Sequence, residues 1–289
     1  MFHLPVMQKE VIELLDPRPD GIYVDATVGP GGHAERILQM IGPGGKLFGI
    51  DRDEDALKRA HKRLSNERVF LRKGNYSDME AILHEEGFAE VDGILLDLGV
   101  STLQLKEAER GFSFTSKAPL NMRMDRSQSL SAWDVVNKYP ERAIERILRE
   151  YGEERFSRKI ANAIMRYRKR KTIDTCEELS KIIESVYGRR GKIHPATRTF
   201  QALRIEVNRE LDYLTVALNS SLRMLKKGGR LCVISYHSLE DRIVKNFMKE
   251  SSRSHLLRII TKKPLTPGID EVASNPSARS AKLRVAEMI

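Results

Sequence analysis

Three aspartates close short apolar stretches in the N-terminal third of the chain: Asp25 ends GIYVD, Asp51 ends KLFGID and Asp97 ends GILLD. Between the first two lies a glycine loop, Gly29-Pro30-Gly31-Gly32-His33-Ala34, which runs straight into the helical pattern HAERILQMI. Glycines ahead of a helix leave its first amide N–H groups open to a ligand's anionic group. A carboxylate roughly twenty residues further on, at the end of the next strand, suits the hydroxyls of a ribose. The pair of features asks for an adenosine-containing cofactor, with a tight ligand-free turn as the alternative. Asp51 has a second role open to it, because the segment IDRDED also offers Asp53 and Asp55, and any of the three can cap the following helix.

The details of the loop turn the choice away from a pyrophosphate. The residues Asp25 to Val28 separate the strand end from the first glycine, whereas a dinucleotide loop turns at once. Asp25 would repel a pyrophosphate but welcome an ammonium or sulfonium, and Asp97 adds a further negative charge at the same edge. S-adenosylmethionine combines a sulfonium, an α-ammonium, a ribose diol and one carboxylate, and so matches three acids around a helix N-terminus.

Positioning these groups requires a parallel sheet. Strand-like segments (GIYVDAT, KLFGID, VFLRKG, VDGILLDLG) alternate with helix-like ones (HAERILQMI, EDALKRAHKRL, SDMEAILHEE), the arrangement of a sheet covered on both faces. After about Gly111 the alternation stops, and everything to about Arg209 reads as helix, with breaks at Pro140, Gly152 and Gly188. One long helix is predicted from about Ala196 to Leu225, followed by a Gly-Gly turn into the strand RLCVIS, the helix LEDRIVKNFMKES, and two late strands in HLLRIIT and AKLRVAEM. The predicted organisation is a sheet domain begun by residues 1–110, a helical insertion over 111–210, and completion of the sheet domain by 211–289.

Composition narrows the function. The chain of 289 residues carries a formal charge of +10. The segment from Lys138 to Arg209 holds 19 Lys and Arg against 10 Asp and Glu, a net of +9, so nearly all the excess lies in the helical insertion. Such concentration is expected of a surface that holds a polyphosphate backbone. The basic run Arg166-Tyr167-Arg168-Lys169-Arg170-Lys171 and the turn Arg189-Arg190 are its densest parts, supported by Arg155, Arg158 and Lys159. A solvated helix face is the plainer account of such a run. Two cysteines without metal-ligand spacing, no secretion signal and no apolar run long enough to span a bilayer point to a reducing cytoplasm and to no structural metal.

Further stretches, GPGGHAERIL, GIDRDEDAL, GILLDLGVSTLQL, PLNMRMD, YGEERFSRKIANAI, HPATRTFQALRIEVN, ISYHSLEDRIVK and NPSARSAKLR, together resemble the bacterial 16S ribosomal RNA cytosine-N4 methyltransferases of the MraW type. The resemblance covers essentially the whole chain, with small departures at Pro30, Thr102 and Ser277. It implies an α/β fold: a class I S-adenosylmethionine-dependent methyltransferase, Rossmann-like with a mostly parallel sheet, carrying an inserted all-helical domain. It implies methyl transfer to N4 of a cytidine in the decoding region of the small ribosomal subunit. By position it places Gly31, Gly32 and His33 in the cofactor loop, Asp51 on the ribose, Tyr76 beside the adenine, and Asp97 and Gln104 near the methionine end. The implied partner is 16S ribosomal RNA in the small subunit.

The chemistry sets its own demands. The N4 amine of cytosine has its lone pair delocalised into the ring, so it must be held in line with the methyl group while an acceptor draws on its N–H. Asp97 is placed for this by topology, and equally for holding an α-ammonium. His237, in the segment Ser235-Tyr236-His237-Ser238, is a candidate on the substrate side; alternatively the segment is structural, with Ser238 capping the next helix together with Asp241. The loop Asn121 to Asp125, with interleaved methionines, either closes over the target base or merely connects domains. Methylation at C5 would need a cysteine nucleophile, and neither Cys176 nor Cys232 is placed as one. A nicotinamide dehydrogenase would leave the basic insertion without purpose, and a helix-turn-helix DNA-binding protein would leave the glycine loop idle.

Overall fold

The computed structural model describes residues 5–188 and 194–289, and the chain divides into two compact units. The first consists of Met1–Gly99 with Leu211–Ile289, the second of Val100–Glu210.

The first unit is built on a seven-stranded sheet of β1 (Ile22–Asp25), β2 (Lys46–Asp51), β3 (Val69–Lys73), β4 (Val91–Asp97), β5 (Leu225–Ser235), β6 (Leu257–Ile259) and β7 (Lys282–Met288). The spatial order is β3-β2-β1-β4-β5-β7-β6. The first five strands run parallel, and β7 lies antiparallel between β5 and β6. The chain leaves β1 toward β2 and β3 on one side and resumes with β4 and β5 on the other. The carboxyl ends of β1 and β4 therefore flank the point where strand order reverses, which is where open α/β sheets bind ligands.

The bodies of the central strands β1, β2 and β4 are apolar because both faces are covered. Ile94 and Leu96 of β4 join Val24, Phe48, Ile50 and Val233 in one core, packed by Leu214, Leu218 and Val244. Leu95 points the other way, into a second core with Tyr23, Leu47, Cys232, Ile234, Val11, Leu15, Ile37 and Ile41. This alternation along one strand is the period-two pleat. Among the described residues no helix is long and apolar enough to cross a membrane.

The second unit is helical. Its helices are Thr102–Lys106, Ala132–Lys138, Glu141–Glu150, Ser157–Arg168, Cys176–Tyr187 and Ala196–Asn208. Ser101, Ser131 and Thr175 each accept a bond from the backbone three residues on, and each is answered by Gln104, Asp134 or Glu178, so reciprocal capping boxes start these helices. Ile144, Leu148, Ile160, Ile164, Leu179, Ile183, Phe200 and Leu203 form a core of their own. The segment from Val100 to Arg110 falls in this unit, earlier than the boundary drawn from sequence. Its tether is the buried Arg110, whose Nη2 donates to the carbonyls of Arg123 and Met124 at 3.1 and 2.8 Å. Met122 and Met124 are buried in the same core, so the methionines of the NMRMD loop anchor it inward.

The single helix expected over 196–225 is two, Ala196–Asn208 and Glu210–Met224, broken at Arg209 with φ 48°. Asn208, 1% exposed, accepts from the Met124 amide at 2.9 Å and donates to the Met122 carbonyl at 2.8 Å. Arg204 then grips Glu210 through two bonds across the break.

Candidate active site

The glycine loop hangs from the sheet by its backbone. Val28 donates to the Ile50 carbonyl at 2.9 Å, and Gly29, with φ 51°, donates to Asp51 Oδ2 at 2.8 Å. Gly31 takes φ 87° as the cap of helix Gly32–Met40, a left-handed conformation natural to glycine, and a Cβ there would stand 3.0 Å from Leu64. The cap has no side-chain hydrogen bond, so the loop amides at this helix start are not taken by a capping side chain.

Around the loop stand the three acids, each at a strand end. Asp51 receives the Gly29 and Asp53 amides on separate oxygens, at 2.8 Å each. Burial, the dominant influence, lifts its carboxyl to about 6 despite those bonds. Asp53 caps helix Glu54–Arg63 by accepting from the Asp55 amide at 3.1 Å, which settles the choice of cap and leaves Asp51 to the strand end. Asp25 is 1% exposed, and its Oδ1 accepts from the Thr27 amide at 3.2 Å. Burial raises its carboxyl to about 7, opposed chiefly by the nearby His33 and assisted by Asp97 and Asp51.

Asp97 is held from two sides. Its backbone amide donates to Thr27 Oγ1 at 2.6 Å, and its Oδ1 accepts from the Tyr236 hydroxyl at 2.8 Å. Its Oδ2 lies 3.6 Å from His33 Nε2. His33 is 5% exposed, and among the described residues neither ring nitrogen has a hydrogen-bond partner. A buried ring whose nitrogens find no hydrogen bond within the described protein has both of them open to a ligand or to water. Tyr76 follows β3, buried in the core beside Val24, Phe48 and Ile50. Asp25, His33, Asp51, Tyr76 and Asp97 thus all belong to the first unit at the carboxyl edge of the parallel strands. Gln104 belongs to the second, where its side chain accepts from the Ser101 amide at 3.1 Å.

His237, not Ser238, caps helix Ser238–Arg253. Its Nδ1 accepts from the Glu240 amide at 3.4 Å, its Nε2 lies 3.2 Å from Glu240 Oε1, and Glu240 Oε2 takes the Tyr236 amide at 2.8 Å. The capping partner expected from sequence, Asp241, instead pairs with Arg284 at 2.6 Å. Tyr236, given no role of its own in the sequence reading, is the residue whose hydroxyl reaches Asp97. The only sequence signal for it is its place directly after a strand, and which strand that neighbours is a fact of topology.

The basic run sorts into two kinds of side chain. Arg166, Lys169 and Arg170 are exposed. Arg168 is half-buried and donates to the Tyr139 carbonyl at 2.7 Å, and Lys171 pairs with Glu178 at 2.5 Å. Arg189 and Arg190 lie outside the described residues. Both cysteines are buried; burial pushes the Cys176 thiol up to about 12 and raises that of Cys232 further, so neither is a nucleophile.

The profile of the MraW methylase family matches residues 1–289. The chain belongs to the MraW methylase family. It is 50% identical over 99% of both chains to a protein of Persephonella marina named ribosomal RNA small subunit methyltransferase H. A protein of the same name from Caldicellulosiruptor bescii is 49% identical, again over 99% of each chain. The chain is accordingly a methyltransferase of class I fold, with S-adenosylmethionine as its methyl donor. The site offers a helix start with no side-chain cap and three acids at the ends of parallel strands.

Proposed function

We propose that this protein transfers a methyl group from S-adenosylmethionine to N4 of a cytidine in the decoding region of 16S ribosomal RNA, acting on the assembled small subunit. The observation that carries the reading is the convergence of Asp25, Asp51 and Asp97 with the buried His33 at the carboxyl edge of the parallel strands, in a member of the MraW methylase family. The cofactor supplies an electrophilic methyl on sulfur. Gly31, Gly32 and His33 hold its amino-acid end, Asp51 its ribose, and Tyr76 the adenine side. Asp97 meets the methionine end. Asp97 also offers a carboxylate oxygen to the N–H of the incoming cytosine, whose nitrogen becomes nucleophilic only as that proton is drawn away. His237 supports this edge as a helix cap, with both ring nitrogens facing Glu240.

The RNA-binding side is assigned to the second unit, which contains the net excess of +9. Arg166, Lys169 and Arg170 contact phosphates, and Arg189 and Arg190 add to the positive charge of the same sequence segment. Extruding a stacked cytidine costs a few kcal/mol, which phosphate contacts offset. The test supplies labelled S-adenosylmethionine with small subunits lacking the modification and, separately, with naked 16S RNA, and digests the product to nucleosides. Label in N4-methylcytidine from subunits alone supports the reading in full. Label in another nucleoside overturns the target atom, and equal labelling of naked RNA overturns the requirement for an assembled subunit.

A further inference from the structure

The tyrosine that follows β5 bears on the neighbouring strand end. Its hydroxyl donates to Asp97 Oδ1 at 2.8 Å, while the other carboxylate oxygen faces the buried His33. The ring itself lies against the backbone of Gly99, where φ is 90° and a Cβ would come within 3.3 Å of the tyrosine Cδ2. Glycine at that position lets the ring approach the turn after β4. The aromatic body and the hydroxyl thus have separable tasks. The ring fills space beside the turn, and the hydroxyl fixes one carboxylate oxygen. Thr27 Oγ1 meanwhile fixes the backbone of the same aspartate at 2.6 Å. With Oδ1 and the main chain both held, one oxygen of Asp97 remains to meet a ligand.

We propose that Tyr236 is a positioning residue for the methyl-transfer site. Its hydroxyl sets the rotamer of Asp97 so that Oδ2 is turned to the methyl-transfer site, where it meets the cationic, methionine end of the cofactor as well as the N–H of the incoming cytosine. A carboxylate held this way loses no rotameric freedom on binding, and that is the source of its contribution to affinity. The inference rests on the reading that Asp97 holds that end of the cofactor. Burial, followed by the charge of Asp97 and the bond to it, raises the Tyr236 phenol well above its ordinary range, so the group remains a donor at any physiological pH.

The test is a double-mutant cycle on the full-length protein, read by calorimetric titration with S-adenosylmethionine, with thermal melting as the check on folding. Tyr236→Phe keeps the ring on Gly99 and removes only the hydroxyl; Asp97→Ala removes the carboxylate, with Asp97→Asn as the substitute should the alanine variant melt early. The expected result is a roughly tenfold weaker Kd for Y236F with an unchanged melting temperature, and no further weakening when Y236F is added to the Asp97 variant. Equal weakening by Y236F in both backgrounds overturns the proposal, since the hydroxyl would then act independently of Asp97. Unchanged affinity in Y236F alone overturns it as well. An Asp97 variant that binds the cofactor like the parent protein overturns instead the assignment of Asp97, and with it the basis of the inference, so the two failures are told apart.

Discussion

At the residue scale the site is defined by carboxyl groups held out of water. Asp25 and Asp51 sit at about 7 and about 6, against an ordinary 3.8, and burial is the leading cause in both. The folded chain therefore retains protons that the unfolded chain has released. The stability this contributes is fully present below about pH 4 and is lost as pH rises through 6 and 7. Asp134 and Glu178, held at about 2 by Lys138 and Lys171 respectively, act oppositely: their contribution is present above pH 4 and is lost as pH falls toward 2. Without cofactor, the melting temperature should peak near pH 4 to 5 and decline toward neutrality. Asp25→Asn, which carries no titrating proton, should remove most of that decline, on the order of a few kcal/mol. A decline of the same size in the variant would show that Asp25 is not its source. These shifted carboxyls could not be read from sequence, because strand-end position signals proximity to a ligand but not the depth of burial.

At the scale of elements, most of the sheet was legible and the breaks were less so. The stretch KLFGID is β2, residue for residue, because six residues with a charged start and an apolar body admit little else between a glycine turn and a helix cap. The residues from Ala196 to Leu225 read as one helix because local propensity favours helix on both sides of Arg209. The break comes from tertiary bonds, with Asn208 tied to the backbone of Met122 and Met124. Asn208→Ala should therefore strand buried backbone groups and cost about 2 to 4 kcal/mol in denaturant unfolding. A cost below about 1 kcal/mol would mean that the break is set elsewhere. The exchange of cap from Ser238 to His237 has the same character. A histidine is an uncommon cap, and it works here because Glu240 three residues on receives the Tyr236 and His237 amides in return.

At the scale of the whole molecule, charge and topology divide the labour. The positive excess of the chain resides in the helical unit, so RNA affinity should fall steeply with salt, the logarithm of affinity declining by about 0.7 to 0.9 per phosphate contacted for each logarithm of salt. Replacing Arg166, Lys169 and Arg170 together by glutamine should flatten that slope by about two to three units. Arg168→Ala should leave the slope alone and lower thermal stability, since its guanidinium is bonded to the Tyr139 carbonyl. An affinity insensitive to salt would remove the helical unit from the RNA interface. The pairing of β4 with β5 has a different consequence, which concerns time. These neighbours end and begin at Asp97 and Leu225, with the entire helical unit between them. On a ribosome adding roughly 5 to 20 residues per second, the growing chain waits on the order of ten seconds with β4 as an open edge. Its run of Ile94, Leu95 and Leu96 is then paired on the β1 side alone, and an unpaired apolar edge invites pairing with another chain. The helical unit, rich in local contacts, can fold during that interval. Synthesis rate therefore enters the yield of native protein: slow translation before Leu225 lengthens the exposure of β4, and fast translation shortens it.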